Sequence, residues 1–402
     1  MSQPAFSDRV QRIKPSPSTA AAALARQLKA EGRDILSLTT GEPDFPTPPH
    51  IVEAAAEAMR RGETRYTNVG GTDALKAAVI EKFSAENGLA YEPAEVMAST
   101  GAKQIIFNAL MATVNEGDEV IVPSPCWVSY PDMAMLAGGE PVIAETRAED
   151  GFLLTAEALE RLITPKTRWL VLNSPSNPSG AVYDAAAFQA LGEVLARHPR
   201  IGVMSDDIYE HIIYDGRRFT AFAAACPELK DRTLTVNGVS KAYAMTGWRL
   251  GFCGGPAPLI KEMAKLQSQS TSNPSAIGQA GAIAALTGPK DFLAEMVGAF
   301  ARRRDLICGR LEAIEGLSCT SPAGAFYAFP SCAGLIGRKT PERKVLESDW
   351  DVVRYLLDSV GVATVHGAAF CASPYFRISF ATADEVLEEA GERIARACDA
   401  LS

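Results

Sequence analysis

The 402-residue sequence predicts an α/β protein in two modules: a large one with a mostly parallel sheet covered by helices on both faces, followed by a smaller α+β one. Three observations carry this expectation. Amphipathic helical stretches alternate with short β-rich runs over most of the chain, the pattern of a parallel sheet joined by helical crossovers. The pattern changes near residue 300, where one long helical run leads into several short strands and a terminal helix. The length also exceeds what one hydrophobic core ordinarily serves.

In chain order, "STAAAALARQLKAEG" predicts a helix capped by Ser18 and stopped near Gly32. "ILSLTTGEPDFPTPPH" reads as a strand running into a proline-rich loop. Helices are expected over "HIVEAAAEAMRRG", "TDALKAAVIEKFSAENG" and "AKQIIFNALMATV", and strands over "DEVIVPSP", "RWLVLNSP", "IGVMSDD", "TLTVNG" and "WRLGFCGG". The second module begins with the long helix "DFLAEMVGAFARRRDLICGRLEAI". Short strands in "AGAFYAFP", "GVATVHG" and "YFRISFA" follow, then the helix "ADEVLEEAGERIARACDAL".

Composition narrows the function. A hydrophobic fraction of 47% and a charged fraction of 22% are those of a soluble globular protein. With a net charge of −9, nucleic acid is not an expected partner, and the short run "ARRRD", Ala301 to Asp305, reads as the solvated face of a helix. No segment reaches the roughly 18 apolar residues of a membrane span and the N-terminus lacks the apolar core of a signal peptide, so a cytoplasmic protein without membrane contact is expected. Eight scattered cysteines and four unclustered histidines point to reduced packing residues, with neither disulfides nor a metal site.

The unusual residues fall at strand ends. "RWLVL" runs into "NSPSNPSG", "IGVM" into "SDDIYEH" and "TLTV" into "NGVSKAY". An amide, a carboxylate and a lysine thus reach one rim, where open α/β sheets bind ligands. Lys241 stands among Val239, Ala242, Tyr243, Ala244 and Met245. Burial there would lower its pKa and supply the neutral amine that forms a Schiff base with a carbonyl, although a snorkelling lysine would carry the same flanks. The helix that begins after "STGAKQ" offers backbone N–H groups of Gly101 and Ala102 to an anion. An imine-forming lysine, a carboxylate and a phosphate cradle are what pyridoxal 5'-phosphate requires.

The ordered motifs "TTGEPDF", "YTNVGG", "PSPCWVSYP", "NSPSNPSG", "SDDIYEH", "SKAYAMTGWRLG", "AGAFYAFP" and "FRISFA" resemble, over almost the whole chain, the class I aminotransferases of the fold-type I pyridoxal-phosphate enzymes. The likeness is strongest to their bacterial aspartate aminotransferase branch. It implies a seven-stranded, mostly parallel sheet in a large cofactor-binding domain at 49–295 and a small C-terminal domain at 296–402. Residues 1–48 would form an arm and part of the small domain.

Carried over by motif, the resemblance makes Lys241 the imine-forming residue and proton carrier, and Asp206 the partner of the pyridinium nitrogen. Tyr209 and Asn177 would bond the phenolic oxygen, and Trp127 would stack on the ring. Gly101, Ala102, Ser240 and Arg249 would take the phosphate, with Tyr66 reaching in from the partner subunit of a homodimer. Arg377 would grip the substrate α-carboxylate, approached also by the backbone of Gly41, with Trp127 and Asn177 facing the substrate as well. Lys103, beside the phosphate pair, would meet a distal carboxylate. Lys14 matches another position tied to acidic substrates, or is an ordinary surface lysine. Ser272 and Asn273 resemble a segment contributed by the neighbouring subunit.

The implied activity is ping-pong transamination between amino acids and 2-oxo acids, with aspartate and 2-oxoglutarate the preferred pair. Aromatic amino acids, alanine or prephenate are alternatives, and a lyase using the same cofactor is a more distant one. A cofactor-sensing regulator would need a DNA-binding module, and the stretch of about 35 residues before the first motif carries no basic recognition helix. The chain departs from the family at Asn68, at His366-Gly367 and at Cys371, all of which bear on loop shape and specificity.

Overall fold

The computed structural model describes residues 5–402. The first strand, β1 (Leu36–Ser37), belongs to the smaller module. Seven further strands form the large sheet: β2 (Val96–Ser99), β3 (Glu119–Ser124), β4 (Glu140–Glu145), β5 (Thr167–Asn173), β6 (Gly202–Asp206), β7 (Thr233–Gly238) and β8 (Gly251–Gly254). Their order is β2-β8-β7-β6-β5-β3-β4, parallel throughout except that β8 runs against both β7 and β2.

Period-two alternation explains the two helical layers. Trp169, Val171 and Met204 pack on one face with Ile105, Ile106 and Leu110 of the helix Ala102–Thr113. Their neighbours Leu170, Leu172 and Val203 pack on the other with Phe188, Leu191 and Leu195 of the helix Ala185–Ala196. Burial on both faces is why these strands read as continuous apolar runs.

Two strands escape the sequence reading, β2 and β4, and they are the two edges. Strand β4 carries Pro141 between charged ends and is only partly buried, a composition that an edge tolerates and a centre does not. The N-terminal helix also differs: it spans Pro17–Ala30, with proline in its first turn and Ser16, not Ser18, at the cap.

In the smaller module β1 pairs in parallel with β10 (Val362–Ala363), while β9 (Tyr327–Ala328), β12 (Phe376–Ser379) and β11 (Val365–His366) make an antiparallel sheet in the order β11-β12-β9. The first strand of the chain is thereby tied to residues near its end. A long helix, Phe292–Glu312, runs across the expected 295/296 boundary, packing Phe292 against the large module and Phe300, Ile307 and Leu311 into the small one.

The run "ARRRD" within that helix is solvated only in part: Arg302 and Asp305 are exposed, while the two arginines between them turn inward. Arg303 and Arg304 are buried: Arg303 pairs with Asp44 (2.9 Å) and Asp384 (2.8 Å), and Arg304 with Asp215 (2.7 Å) and Asp305 (2.8 Å). Apart from Asp305, the compensating carboxylates are distant in sequence, a pairing invisible in a local reading. All eight cysteines are free thiols, and no helix of the described residues is long and apolar enough to cross a membrane.

Candidate active site

The carboxyl ends of β5, β6 and β7 open on a cavity of about 440 Å³. Parallel register puts Asn173 beside Asp206, and Lys241 follows three residues after β7. Small-module residues close the cavity opposite: Arg377 from β12, Tyr327 from β9, and Thr39 to Glu42 after β1.

Of the residues expected from sequence, Gly41, Ala102, Lys103, Trp127, Asn177, Asp206, Tyr209, Ser240, Lys241, Arg249 and Arg377 line this one cavity. Gly101 stands at its edge as the cap of the helix Ala102–Thr113, with φ +87° and no side chain capping that end. A Cβ there would run into the Arg249 guanidinium. The result is a bare helix N-terminus with a cation beside it, a cradle for an anion. Arg249 is itself placed by a left-handed backbone and a 2.9 Å bond from Nη1 to the Thr246 carbonyl.

Three charged groups converge here, Asp206 and Arg377 buried and Lys241 half-buried. Lys241 Nζ donates to the Gly41 carbonyl at 2.5 Å and lies 5.6 Å from the Tyr209 ring centre. Burial, then the Arg377 charge, bring its pKa down to about 8. Asp206 accepts from Tyr130 Oη at 2.6 Å and from the Ile208 N–H at 3.3 Å. Burial pushes its pKa up to about 6, against the pull of Tyr130, the Ile208 amide and Lys241. Arg377 donates to Asn177 Oδ1 (3.0 Å) and to the Thr39 carbonyl (2.8 Å), and lies 4.5 Å from the Tyr327 ring centre. Its Nε is buried without a partner among the described residues. Such a group is costly unless something binds it.

Asn177 is oriented in turn: its N–H donates to Asn173 Oδ1 (2.8 Å), while Asn173 Nδ2 donates to the Asp206 carbonyl (2.8 Å). Tyr209 and Tyr327 share a 2.9 Å hydroxyl contact. Lys103 stands 4.7 Å from the Trp127 ring centre and pairs with no acid among the described residues. Burial and Arg249 lower its pKa.

The remaining expected residues lie elsewhere. Tyr66 is 91% exposed and shares a separate surface hollow with Ser272 and Asn273. Lys14 and Asn68 are exposed outside the cavity, His366 meets Trp350 edge-on at 4.9 Å, and Cys371 sits in a left-handed turn. Glu86, Glu210 and His211 converge away from the cavity, but Lys82 and Lys290 supply the neighbouring cations. Despite burial, His211 and Lys290 hold the Glu86 pKa down at about 2.

Sequence reading missed Tyr130, Tyr327 and the lining from Ser16, Thr19, Ala22 and Arg26. Tyr130 follows Trp127 by three residues, one helical turn, a spacing that could have exposed it. Thr19, Ala22 and Arg26 share a helix face, but a polar face beside a cavity reads like one beside solvent.

A half-buried amine, a buried carboxylate and a buried guanidinium with an N–H free among the described residues, set around an anion cradle, suit an enzyme that works on amino or oxo acids, on a fold with a switch-point cleft. The chain belongs to the family "Aminotransferase class I and II", whose model matches residues 33–394. It is 57% identical to an aspartate aminotransferase of Rhizobium meliloti, over 94% of this chain and 93% of that one. It is 54% identical to an aspartate/prephenate aminotransferase of Cereibacter sphaeroides, over 99% of both. Among solved structures, the Rhizobium meliloti aspartate aminotransferase superposes with a TM-score of 0.97 at 55% identity, over all of both chains. The Thermus thermophilus enzyme with maleate does so with a TM-score of 0.92 at 42% identity, over 98% of this chain and all of that one. The protein is an aminotransferase with the fold-type I architecture.

Proposed function

We propose that this aminotransferase is a cytoplasmic, pyridoxal-5'-phosphate-dependent homodimer that moves the amino group of aspartate to 2-oxoglutarate, giving oxaloacetate and glutamate. The observation that carries the reading is the convergence of half-buried Lys241 with buried Asp206 and Arg377, charged groups from separate segments, on one cavity with a bare helix N-terminus. The names of the relatives support the substrate. So does Lys103, an exposed cation at the cavity wall that lies against Trp127 and pairs with no acid among the described residues.

The donor set suits the cofactor. Lys241 would bond it covalently, Asp206 would pair with its ring nitrogen, and Trp127 would face the ring. Asn177 and Tyr209 would meet its phenolic oxygen, and the N–H groups of Gly101 and Ala102 with Ser240 and Arg249 would take its phosphate. Lys103 would stand beside that phosphate. Tyr66 would add a hydroxyl from the partner subunit, beside Ser272 and Asn273. When bound, pyridoxal 5'-phosphate supplies a carbonyl that condenses with amines and a ring that absorbs the electron pair of a broken Cα–H bond.

The chain's own groups then have distinct tasks. Arg377, held by Asn177 and the Thr39 carbonyl, grips the α-carboxylate while Gly41 lets backbone approach it. Lys103 orients the distal carboxylate. Lys241 Nζ, neutral in a sizeable fraction near pH 8, takes the proton from the substrate Cα and returns one as the oxo acid forms. The second oxo acid traverses the same steps in reverse. We assign residues 1–48 to an arm and part of the small domain, 49–295 to the large domain and 296–402 to the small one.

The test is a half-reaction screen of the purified holoenzyme with single amino acids, following loss of the lysine-linked cofactor absorbance. Rapid conversion by aspartate and glutamate, weakened about tenfold or more in Lys103→Ala, is expected. Preference for phenylalanine, tyrosine or alanine overturns the substrate assignment. No conversion with any amino acid overturns transamination.

A further inference from the structure

Gln279 is 1% exposed, yet its amide serves no part of the cavity described above. It sits in the first turn of the helix Ala276–Thr287, whose cap Ser275 accepts the Gly278 N–H at 3.3 Å. All three of its hydrogen bonds go to loops. Oε1 accepts the Thr72 N–H at 2.8 Å, and Nε2 donates to Thr67 Oγ1 and to the Pro274 carbonyl, both at 2.9 Å.

Thr67 adjoins Tyr66, and Pro274 adjoins Asn273. One buried side chain therefore fastens both segments that border the surface hollow of about 550 Å³, Thr64–Tyr66 on one side and Thr271–Asn273 on the other. Between the helices Pro49–Arg60 and Asp73–Asn87 the Tyr66 loop has no regular structure, so few backbone bonds fix it. Gly71, with φ +98°, brings the loop back towards the amide. Tyr66 projects almost wholly into solvent, where packing cannot set its direction.

We propose that Gln279 is the positioning residue that presents Tyr66, with Ser272 and Asn273, to the cofactor phosphate bound by a second copy of the chain. The inference rests on the reading above that Tyr66 crosses between subunits. Gln279 touches neither cofactor nor substrate. It acts by holding two donor loops in one geometry, so its loss loosens the grip on a phosphate in the other subunit while leaving its own subunit's lysine and aspartate in place.

The test measures cofactor affinity by reconstituting apoenzyme with pyridoxal 5'-phosphate and reading the lysine-linked absorbance. Gln279→Ala and Tyr66→Phe dimers should each bind about tenfold more weakly. Dimers mixed from Gln279→Ala and Lys241→Ala subunits settle the direction. In these, the Lys241-bearing site receives its loops from the subunit with intact Gln279, so half the sites should regain wild-type affinity. Thr67→Val removes a partner of the same amide outside the helix and should weaken binding in the same sense, keeping the test decisive if Gln279→Ala folds poorly.

Weakening by Tyr66→Phe but not by Gln279→Ala or Thr67→Val overturns the inference and spares the reading. Weakening that mixing does not restore places Gln279 within its own subunit and overturns it too. If Tyr66→Phe does not weaken binding, or weakens it in a way that mixing with Lys241→Ala subunits does not restore, the crossing tyrosine fails, and the inference with it.

Discussion

Asp206→Asn should make the cofactor-free protein more stable, and only above a definite pH. Asp206 is wholly buried, and burial lifts its pKa from the ordinary 3.8 to about 6. The folded state thus binds this proton more tightly than the unfolded chain does. Folding takes up a proton between about pH 4 and 6, and the stability of the parent protein falls as pH rises through that window. About two units at ~1.4 kcal/mol each make the buried carboxylate cost roughly 3 kcal/mol once it is ionised. Asparagine does not titrate, and its Oδ1 can still accept from Tyr130. The assay is urea unfolding of the two apoproteins from pH 4 to pH 8. The midpoints should coincide near pH 4 and separate by pH 7, with the variant higher, even though it has lost the partner proposed for the cofactor nitrogen. A gap that is absent, reversed or independent of pH refutes the reasoning.

Two other substitutions bear on the cradle and the clamp. Gly101→Ala places a side chain at φ +87°, ψ 158°, a region essentially confined to glycine and costing about 1–3 kcal/mol, and drives it into Arg249; reconstitution titrations should show cofactor affinity falling about tenfold or more. Arg377→Lys keeps the charge but loses the fork that spans Asn177, Thr39 and the substrate. With charged hydrogen bonds worth ~1.5–3 kcal/mol each, the concentration of aspartate giving half-maximal conversion should rise about a hundredfold, and an unchanged value would contradict the carboxylate assignment.

How far the sequence carried the fold depended on whether a feature was local. The central strands β5, β6 and β7 are apolar runs ending in polar turns, and both properties are written side by side in "RWLVLNSP", "IGVMSDD" and "TLTVNG". The edge β4 lacks that contrast, because an edge strand need not be apolar on both faces, whereas β2 is buried throughout and escapes notice because it is only four residues long. Lys241 and Asp206 could be read from their strand ends, and Arg377 from its family motif. The partners that orient them, Tyr130 and the Thr39 carbonyl, are contacts between segments 76 and 338 residues apart, which no window of sequence displays. Arg303 and Arg304 mislead for the same reason: beside exposed Arg302 they look equally solvated until Asp44, Asp215 and Asp384 arrive from elsewhere.

The pairing of β1 with β10 has a mechanical outcome. The helix Pro17–Ala30, which supplies Thr19, Ala22 and Arg26 to the mouth of the cavity, leans on the same small module through Ala25, Ile35, Leu357 and Ala363. Arg377 rides on that module as well. Doorway and carboxylate clamp hang from one frame, so a swing of that frame that brings the guanidinium towards a substrate also narrows the way out.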